Sequence, residues 1–376
     1  MDIYAVRLDR AYEKHKEEYD AKALEVLRSG SYICGRELAG FEEAFASYLG
    51  VSHCVGVNSG LDALRITFRV LGLGPGDEVL VQGNTFIAGF MGISDCGATP
   101  VAVEPDAYYG IDPADLEKKI TSRTRAVLAT HLFGMMTPME PIVSLCEKHG
   151  LLLVEDCAQA HGASERGKKA GSFGYASCFS FYPTKNLGGF GDGGAIVTND
   201  ASFAEKCRIF RNNGSEKKYC NAVVGVNSRL DELQAGLLRI RLKYLDEMNA
   251  ERSALAARYT NEIRNPLLRL PGIRPDVYNV WHQYVVRCRE RDALQRYLHE
   301  NGVHTLIHYP IPAHLSEAYA YLGLQPGSLP VTEALSDTVL SLPIYNEMSF
   351  EEQSYVIGLL NAFAPDGRGG EAGNRR

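Results

Sequence analysis

The sequence predicts an α/β fold in which helices flank a mainly parallel sheet, followed by a smaller C-terminal α+β domain. The first observation is that short apolar segments alternate with helical patterns from about Phe41 onward, which is typical of parallel sheets. The second is a pair of long amphipathic segments, near residues 230–245 and 247–264, that ends this alternation. The third is a group of shorter elements that follows the helix-breaking Pro266 and Pro271. A chain of 376 residues is long enough for two such domains.

Local signals set the type of each alternating segment. Gly50 ends the first helix, because glycine readily adopts the left-handed conformation that follows a helix. The Gly-Pro-Gly-Asp sequence at 74–77 predicts a turn. Apolar residues three and four apart predict helices, and short runs rich in Val, Leu and Ile predict strands. In chain order these elements are helix 41–50, strand 53–57, helix 61–72, strand 78–82, helix 86–97, strand 99–105, helix 114–120, strand 125–130, helix 139–150 and strand 151–156.

The C-terminal part has its own set of elements. We predict a strand at 282–288 and helices near 293–301, 332–340 and 351–363. The predicted domains are therefore a large domain of residues 1–248 and a small domain of residues 249–364. Residues 365–376 are glycine-rich and charged, which predicts a disordered tail.

Composition excludes several classes of function. A formal net charge of −7 argues against a surface built for nucleic acid or anionic lipid. The sequence has neither a run of the roughly 20 apolar residues that a membrane span requires nor a signal peptide. Nine cysteines without a C-x-x-C pair predict free thiols and hence the cytoplasm. The histidines lack metal-ligand spacing, so we expect no metal.

The strongest chemical signal joins Asp156 to Lys185. Asp156 ends an apolar strand, and Lys185 follows within a glycine-rich segment, CFSFYPTKNLGGFGDGG. A carboxylate at the edge of a parallel sheet can hold a pyridine nitrogen in its protonated form, and a lysine can form a Schiff base. The pattern therefore indicates a site for pyridoxal phosphate. The competing interpretation is that Asp156 caps a turn and Lys185 is a solvated surface residue.

A phosphate site is predicted where the first strand leads into a helix. The sequence GVNSGLDA places Ser59 and Gly60 at the start of that helix, where backbone N–H groups bind anions. An ordinary helix cap explains the same residues. Ser180, five residues before Lys185, can add a hydrogen bond to the phosphate, and Phe86 can stack on a cofactor ring or serve as a core aromatic.

Together these motifs resemble the DegT/DnrJ-type nucleotide-sugar aminotransferases. The resemblance extends over nearly the whole chain and rests on GVNSGLDAL, VEDCAQAHGA, CFSFYPTKNLGGFGDGG, GVNSRLDELQA and HYPIPAHL. It implies the aspartate-aminotransferase fold of type I, pyridoxal phosphate as cofactor with a pyridoxamine phosphate stage, and a homodimer with shared sites. The sequence departs from the family pattern after Gly134, where two methionines stand in place of a more polar residue.

The resemblance also assigns roles to individual positions. Lys185 corresponds to the Schiff-base lysine, Asp156 to the partner of the pyridine nitrogen, and Gln159 to a contact with the ring hydroxyl. Phe86 would stack on the ring, while the phosphate would be held by Ser59, Gly60, Ser180 and, from the neighbouring subunit, Asn227. Five further candidates either pack within the protein or contact the sugar: His161, Tyr182, Tyr219, His308 and Tyr309. Sugar contact is the favoured prediction only for His161.

The implied activity is transfer of an amino group from glutamate to a nucleotide-linked keto sugar. With Tyr182 three positions before Lys185, the sequence resembles the branch of the family that aminates the 3-keto group of dTDP-linked 6-deoxyhexoses. A 4-keto substrate is the alternative. A dehydratase of the same fold would require His in place of Lys185. A non-catalytic regulator that binds the cofactor is the alternative from another class, although the sequence shows no DNA-binding module.

Overall fold

The computed structural model describes residues 1–365, and helices and strands alternate along its first half as the sequence predicts. The strands are β1 (His53–Val57), β2 (Glu78–Gln82), β3 (Thr99–Val103), β4 (Thr124–Thr130), β5 (Leu152–Asp156), β6 (Ser164–Glu165), β7 (Lys168–Lys169), β8 (Ala176–Ser180), β9 (Gly194–Thr198), β10 (Ser215–Lys217), β11 (Cys220–Asn221), β12 (Val277–Tyr278), β13 (Tyr284–Arg287) and β14 (Val339–Leu342). The α-helices are α1 (Leu8–Glu13), α2 (Lys16–Ser29), α3 (Arg36–Leu49), α4 (Gly60–Val70), α5 (Ala88–Asp95), α6 (Pro113–Lys118), α7 (Met139–His149), α8 (Ala201–Arg211), α9 (Glu232–Lys243), α10 (Leu245–Glu262), α11 (Arg291–Glu300), α12 (Pro330–Thr338) and α13 (Phe350–Ala362).

A seven-stranded sheet forms the centre of the larger part, in the order β1-β9-β8-β5-β4-β2-β3. Strands β8, β5, β4, β2 and β3 are parallel to their neighbours in this series. Strand β9 is the exception, because it runs antiparallel to both β1 and β8. The predicted mainly parallel α/β sheet is therefore confirmed, and β5 lies in its interior with its carboxyl end at Asp156.

Helices cover both faces of this sheet. Within β4, Val127 packs on one side in a cluster with Phe41 and Phe45 of α3. The adjacent residue Leu128 packs on the opposite side in a second cluster with Phe68 of α4. Successive side chains of a strand point to opposite faces, so a strand that is apolar throughout requires a helical layer on each side.

The C-terminal elements pack around a separate apolar cluster that includes Tyr259, Tyr284 and Leu360. Strands β13 and β14 pair antiparallel beside it. Helix α10 passes through the predicted boundary between residues 248 and 249, and the division into 1–248 and 249–364 stays a prediction. Apart from Pro365, the predicted tail 365–376 lies outside the described residues. No helix among residues 1–365 combines the length and the apolar character that a membrane crossing requires.

Glu232 joins the start of α9 to the start of α3. Its carboxylate accepts backbone hydrogen bonds from Gly35 at 2.8 Å, Glu37 at 2.9 Å and Leu38 at 3.0 Å. Helix α3 begins after Gly35, which has no side chain to cap it. The first N–H groups of a helix need such acceptors, and a carboxylate also interacts favourably with the helix dipole. A side chain almost 200 positions away in the sequence therefore completes α3.

We predict that Glu232→Ala lowers the free energy of unfolding by about 3 kcal/mol, because buried N–H groups lose a charged acceptor. Glu43→Ala, an exposed carboxylate on the same helix α3, is the matched control and should change stability by less than about 0.5 kcal/mol. Urea unfolding followed by circular dichroism measures both values. Equal stabilities of the two variants would contradict the capping role.

Candidate active site

The carboxyl end of β5 and the turn after β8 meet at a cavity of about 360 Å³. Asp156 reaches this cavity from β5, and Lys185 reaches it from the turn in which its backbone N–H donates to the Tyr182 carbonyl at 2.9 Å. The cavity also receives side chains from the C-terminal part of the chain. The predicted residues that line it are Ser59, Gly60, Phe86, Asp156, Gln159, Ser180, Tyr182, Lys185, His308 and Tyr309.

Asp156 is a buried carboxyl group with a free side toward the cavity. Its Oδ1 accepts the backbone N–H of Ala158 at 3.1 Å, which fixes the side chain at the start of the next turn. Burial raises the pKa of Asp156, while the Ala158 N–H and the Lys185 charge act in the opposite direction. A cationic ligand group in the cavity would therefore stabilise the charged carboxylate.

Lys185 has the environment of a reactive amine. Burial lowers its pKa to about 8, because the cavity solvates an ammonium less well than water does, and the Asp156 carboxylate partly offsets this effect. Among residues 1–365 the Lys185 Nζ atom has no hydrogen-bond partner. A substantial fraction of the lysine is therefore neutral at physiological pH and available as a nucleophile or a base.

The turn that carries Ser59 and the end of β8, which carries Ser180, approach each other unusually closely. A Cβ atom on Gly60 would lie 2.6 Å from the Ser180 Cβ, and one on Gly194 would lie 2.3 Å from the Ser59 carbonyl carbon. Glycine at both positions allows this contact. Ser59 also caps α4, since its hydroxyl accepts the Asp62 N–H at 3.1 Å. The start of α4 thus presents backbone N–H groups and two serine side chains to one wall of the cavity, as an anion site requires.

Gln159, Tyr309 and Phe86 form another wall. The Gln159 Oε1 atom accepts the Phe133 N–H at 2.7 Å, and its Nε2 donates to the Tyr309 hydroxyl at 3.1 Å. The ring of Phe86 lies 5.4 Å from that of Tyr309, and 51% of Phe86 is exposed. Such exposure rules out a fully packed core position and leaves the aromatic face available to a planar ligand.

His161 does not reach the cavity, contrary to the expectation of sugar contact. Its ring is fully buried, 5.4 Å from the ring of Phe179 and 5.9 Å from that of Phe181. Burial and the Lys185 charge lower the pKa of His161 to about 3, so the ring is neutral. The sequence could not reveal this, because the direction of this side chain is set by its packing against Phe179 and Phe181.

Tyr219 and Asn227 also lie away from the cavity of their own chain. Tyr219 is 86% exposed, next to strand β11, and Asn227 is an exposed residue in an isolated bridge with Asn212. Asn227 was expected to act on a neighbouring subunit, and that role stays a prediction. A sugar contact by Tyr219 likewise requires a second copy of the chain.

The cavity includes polar residues that sequence reasoning missed. Thr85 Oγ1 and Thr130 Oγ1 are buried and have no hydrogen-bond partner among residues 1–365. Both threonines stand at or just beyond the carboxyl ends of strands, which was the signal that could have identified them. The other missed polar residues of the cavity wall are Thr184, Asp192, His282 and Gln283.

A buried group behind the cavity has a supporting role. His131, Glu155 and Cys157 place potential metal-ligand atoms within 4.8 Å of one another. The carboxylate of Glu155, however, accepts hydrogen bonds from the His131 ring, from the Ser177 hydroxyl and from three backbone N–H groups, those of Gly171, Phe173 and Gly174. Burial raises the pKa of Cys157 well above its usual range, so the thiol is neutral. The group anchors the segments that follow β4 and β5.

The residues of this cavity fit pyridoxal phosphate. Partnerless threonine hydroxyls, a carboxylate with a free side and an amine of lowered pKa face one space, and glycines bring an anion-binding helix start to its wall. The Lys185 amine matches the aldehyde of this cofactor, the Asp156 carboxylate matches its pyridine nitrogen, and the turn at Ser59 matches its phosphate.

Comparisons with known proteins point in the same direction. The family described as "DegT/DnrJ/EryC1/StrS aminotransferase family" matches residues 13–361. The chain is 48% identical over 366 residues to the erythromycin biosynthesis sensory transduction protein EryC1 of Saccharopolyspora erythraea, covering 97% of this chain and 100% of that protein. It is 50% identical over 351 residues to the dTDP-3-amino-3,6-dideoxy-alpha-D-galactopyranose transaminase of Aneurinibacillus thermoaerophilus, covering 93% and 96%. The crystal structure of S. venezuelae DesV in complex with a ketimine intermediate has a TM-score of 0.94 and 48% identity, covering 96% of this chain and 98% of that one.

We predict that Asp156→Asn lowers the pKa of Lys185 by about one unit below its value of about 8, because the carboxylate that stabilises the ammonium is lost. The pH dependence of Lys185 acetylation in cofactor-free protein, quantified by mass spectrometry, measures this pKa. Asp192→Asn removes another carboxylate of the same cavity wall and should leave the Lys185 pKa unchanged. An unchanged pKa in Asp156→Asn would show that the two groups do not interact.

Proposed function

The chain belongs to the DegT/DnrJ/EryC1/StrS aminotransferase family and is a pyridoxal-phosphate-dependent transaminase, and we propose that it aminates the 3-keto group of a dTDP-linked 6-deoxyhexose. The observation that carries this proposal is the cavity that Lys185 and Asp156 share. Glutamate is the proposed amino donor.

The proposed roles follow from where each side chain lies. The phosphate is bound by the N–H groups at the start of α4 together with Ser59 and Ser180. The close approach of this helix start to the end of β8 brings these donors to one point. Asp156 holds a protonated ring nitrogen. Gln159, positioned by Phe133 and Tyr309, offers its amide to the ring hydroxyl side, and Phe86 stacks on the ring.

Pyridoxal phosphate, when bound, supplies a carbonyl group that exchanges amino groups and a ring that withdraws electrons. Lys185 supplies the proton transfers. Because burial holds its pKa at about 8, the amine both accepts and returns a proton near neutral pH. Asp156 keeps its charge through the interaction with the ligand cation, despite the burial that raises its pKa in the free protein.

A relative's chemistry supports the sugar substrate. The transaminase from Aneurinibacillus thermoaerophilus, 50% identical, is named for a product that carries its amino group at C3 of a 6-deoxy sugar. In this chain Tyr182 is 52% exposed at the cavity, with His308 and Tyr309 on the wall that the C-terminal part supplies. Hydroxyl and imidazole groups are suited to a sugar. We propose that these three residues position the ring so that C3 meets the reacting amine.

The relative named as a sensory transduction protein, EryC1, raises the alternative of a protein that binds the cofactor without turnover. Lys185 is the residue that weighs against this alternative, because a binding-only site has no need for a buried amine with a lowered pKa. A 4-keto sugar remains the alternative substrate within the family.

We further propose a homodimer with shared sites. Asn227 and Tyr219 are exposed and are not among the residues that line the cavity of their own chain, so a role at an active site requires a partner. Asn227 would complete the phosphate site of the neighbouring subunit. We also propose a cytoplasmic location, because all nine cysteines are free thiols, which suits a reducing compartment.

Competition between a 3-keto and a 4-keto dTDP-linked 6-deoxyhexose, with glutamate as donor, tests the substrate. We expect kcat/KM for the 3-keto sugar to be about tenfold higher or more, because reacting atoms must lie roughly 3–3.5 Å apart and the two carbons cannot occupy one position. Mass spectrometry of the amino-sugar products gives the ratio. A ratio of one or less would reject the 3-keto assignment while leaving the transaminase intact, and the absence of any amination would reject the proposed function.

Lys185→Ala should abolish turnover, since alanine has no amine that could react with a carbonyl group or carry the proton. Replacement of Lys206, an exposed lysine on α8, by alanine is the control and should retain wild-type turnover.

Asn227→Ala should weaken cofactor binding. Dimers that pair a Lys185→Ala chain with an Asn227→Ala chain should recover about half of wild-type activity, because both defects fall on one of the two sites.

The two chains carry different tags so that the mixed dimer can be purified, and a spectrophotometric assay compares its activity with that of the wild-type dimer. No recovery in the mixed dimer, with both parent dimers folded, would show that Asn227 does not act across the interface.

A further inference from the structure

The amide of Asn186, the residue after Lys185, has an unambiguous orientation. Its Nδ2 donates to the Val280 carbonyl at 2.9 Å and to the Asn249 Oδ1 atom at 2.8 Å. A carbonyl oxygen can only accept, so the nitrogen must lie on this side. Asn249 is oriented by the same logic, because its own Nδ2 donates to the His161 carbonyl at 2.8 Å. The Oδ1 atom of Asn186 is therefore an acceptor on the opposite side.

That acceptor determines the tautomer of His282. The Nδ1 atom of His282 lies 3.1 Å from Asn186 Oδ1 and must carry the hydrogen. Burial, together with the charges of Lys185 and Arg252, lowers the pKa of His282 well below its usual range, so the ring is neutral. A neutral ring with hydrogen on Nδ1 has a lone pair on Nε2. The side chain lines the cavity, and Nε2 has no partner among residues 1–365.

The ammonium of Lys185 needs a hydrogen-bond acceptor, which is what His282 Nε2 offers. Its Nζ lines the same cavity without a hydrogen-bond acceptor in the described part of the chain, and a buried ammonium requires one. The titratable groups that interact electrostatically with this lysine are Asp156 after β5, His161 in the following turn, His282 before β13 and His308 after α11. The cavity wall also includes the exposed Asp192 and Tyr182, and Tyr309, whose hydroxyl accepts from Gln159. Asp156 is the partner proposed for the ring nitrogen, and His161 is outside the cavity.

His308 is the other neutral imidazole in the wall, but its tautomer is not fixed. Its Nδ1 lies 2.7 Å from the Ser341 hydroxyl, which can either donate or accept. Of the imidazoles that line the cavity, His282 alone has an acceptor nitrogen that a neighbouring amide specifies.

We propose that His282 is a positioning residue for Lys185: when the free side chain is protonated, it turns within the cavity so that its ammonium donates a hydrogen bond to His282 Nε2, the acceptor that has no partner in this structure among residues 1–365. The assignment of Lys185 as the reactive amine rests on the proposed function. Asn186 then has two roles. Its side chain holds the segment beside Lys185 in place, and it sets the tautomer of His282 that leaves Nε2 free to accept a hydrogen bond from the lysine. The device keeps the ammonium within the cavity between proton transfers.

Two measurements on cofactor-free protein test this proposal. In wild-type protein with 15N-labelled histidine, NMR should show His282 as the Nδ1–H tautomer with an unprotonated, hydrogen-bonded Nε2. In His282→Phe, the pH dependence of Lys185 acetylation should give a pKa about one unit lower than wild type, because a hydrogen bond to the charged form is lost. His282→Gln keeps an acceptor oxygen and should restore most of the shift.

His308→Phe is the matched control, since it removes a neutral imidazole from the same wall, and it should move the Lys185 pKa by clearly less than His282→Phe does. Near-UV circular dichroism establishes that each variant is folded. An Nε2–H tautomer in the wild-type protein, or equal shifts in the two phenylalanine variants, would overturn the role of His282. Neither result depends on turnover, whereas retained turnover in Lys185→Ala would overturn the proposed function itself.

Discussion

Holding an amine and a carboxylate out of water at one edge of a sheet is the constraint on which the rest of this structure depends. Removing either charge from water is costly, and their mutual attraction offsets the cost only in part. Lys185 responds with a pKa lowered to about 8, and Asp156 with a raised pKa. Segments that follow the strands and residues of the C-terminal part enclose the two groups, so the folding of distant segments and the reactivity of the site are linked.

The anion site depends on a second constraint, which is close contact between backbones. Gly60 and Gly194 let the turn that starts α4 lie directly against β8 and β9, where any side chain would push them apart. The antiparallel insertion of β9 between β1 and β8 brings these segments together. A helix start, whose N–H groups bind anions without needing a cationic side chain, thereby faces the same cavity as Lys185. Such an anion site needs no positive net charge, which is how we propose that this chain, with a net charge of −7, holds the cofactor phosphate.

Neutral hydrogen-bonding groups complete the wall that the C-terminal part supplies. Burial lowers the pKa of His308 to about 4 and that of His282 well below its usual range, so neither adds positive charge beside Lys185. Their nitrogens instead serve as directed donors or acceptors, oriented by Ser341 and Asn186. Under the proposed function the site accepts an amino donor and a nucleotide-linked sugar in turn, and neutral groups on this wall can form hydrogen bonds with either substrate.

The sequence by itself determined the sheet, its flanking helices and the pair formed by Asp156 and Lys185, because these follow from local periodicity and from strand ends that parallel pairing brings to one edge. Ser59 was predicted from a strand that leads into a helix start, and Ser180 and Tyr182 from their positions shortly before Lys185; all three line the cavity. Only the tertiary structure decided the contacts between distant segments. It buried the His161 ring outside the cavity, brought His282 and Gln283 to the cavity from more than a hundred positions beyond Asp156, and let Glu232 complete α3. Such contacts leave no periodic trace, since side-chain direction in turns is set by packing against residues that are remote in the sequence.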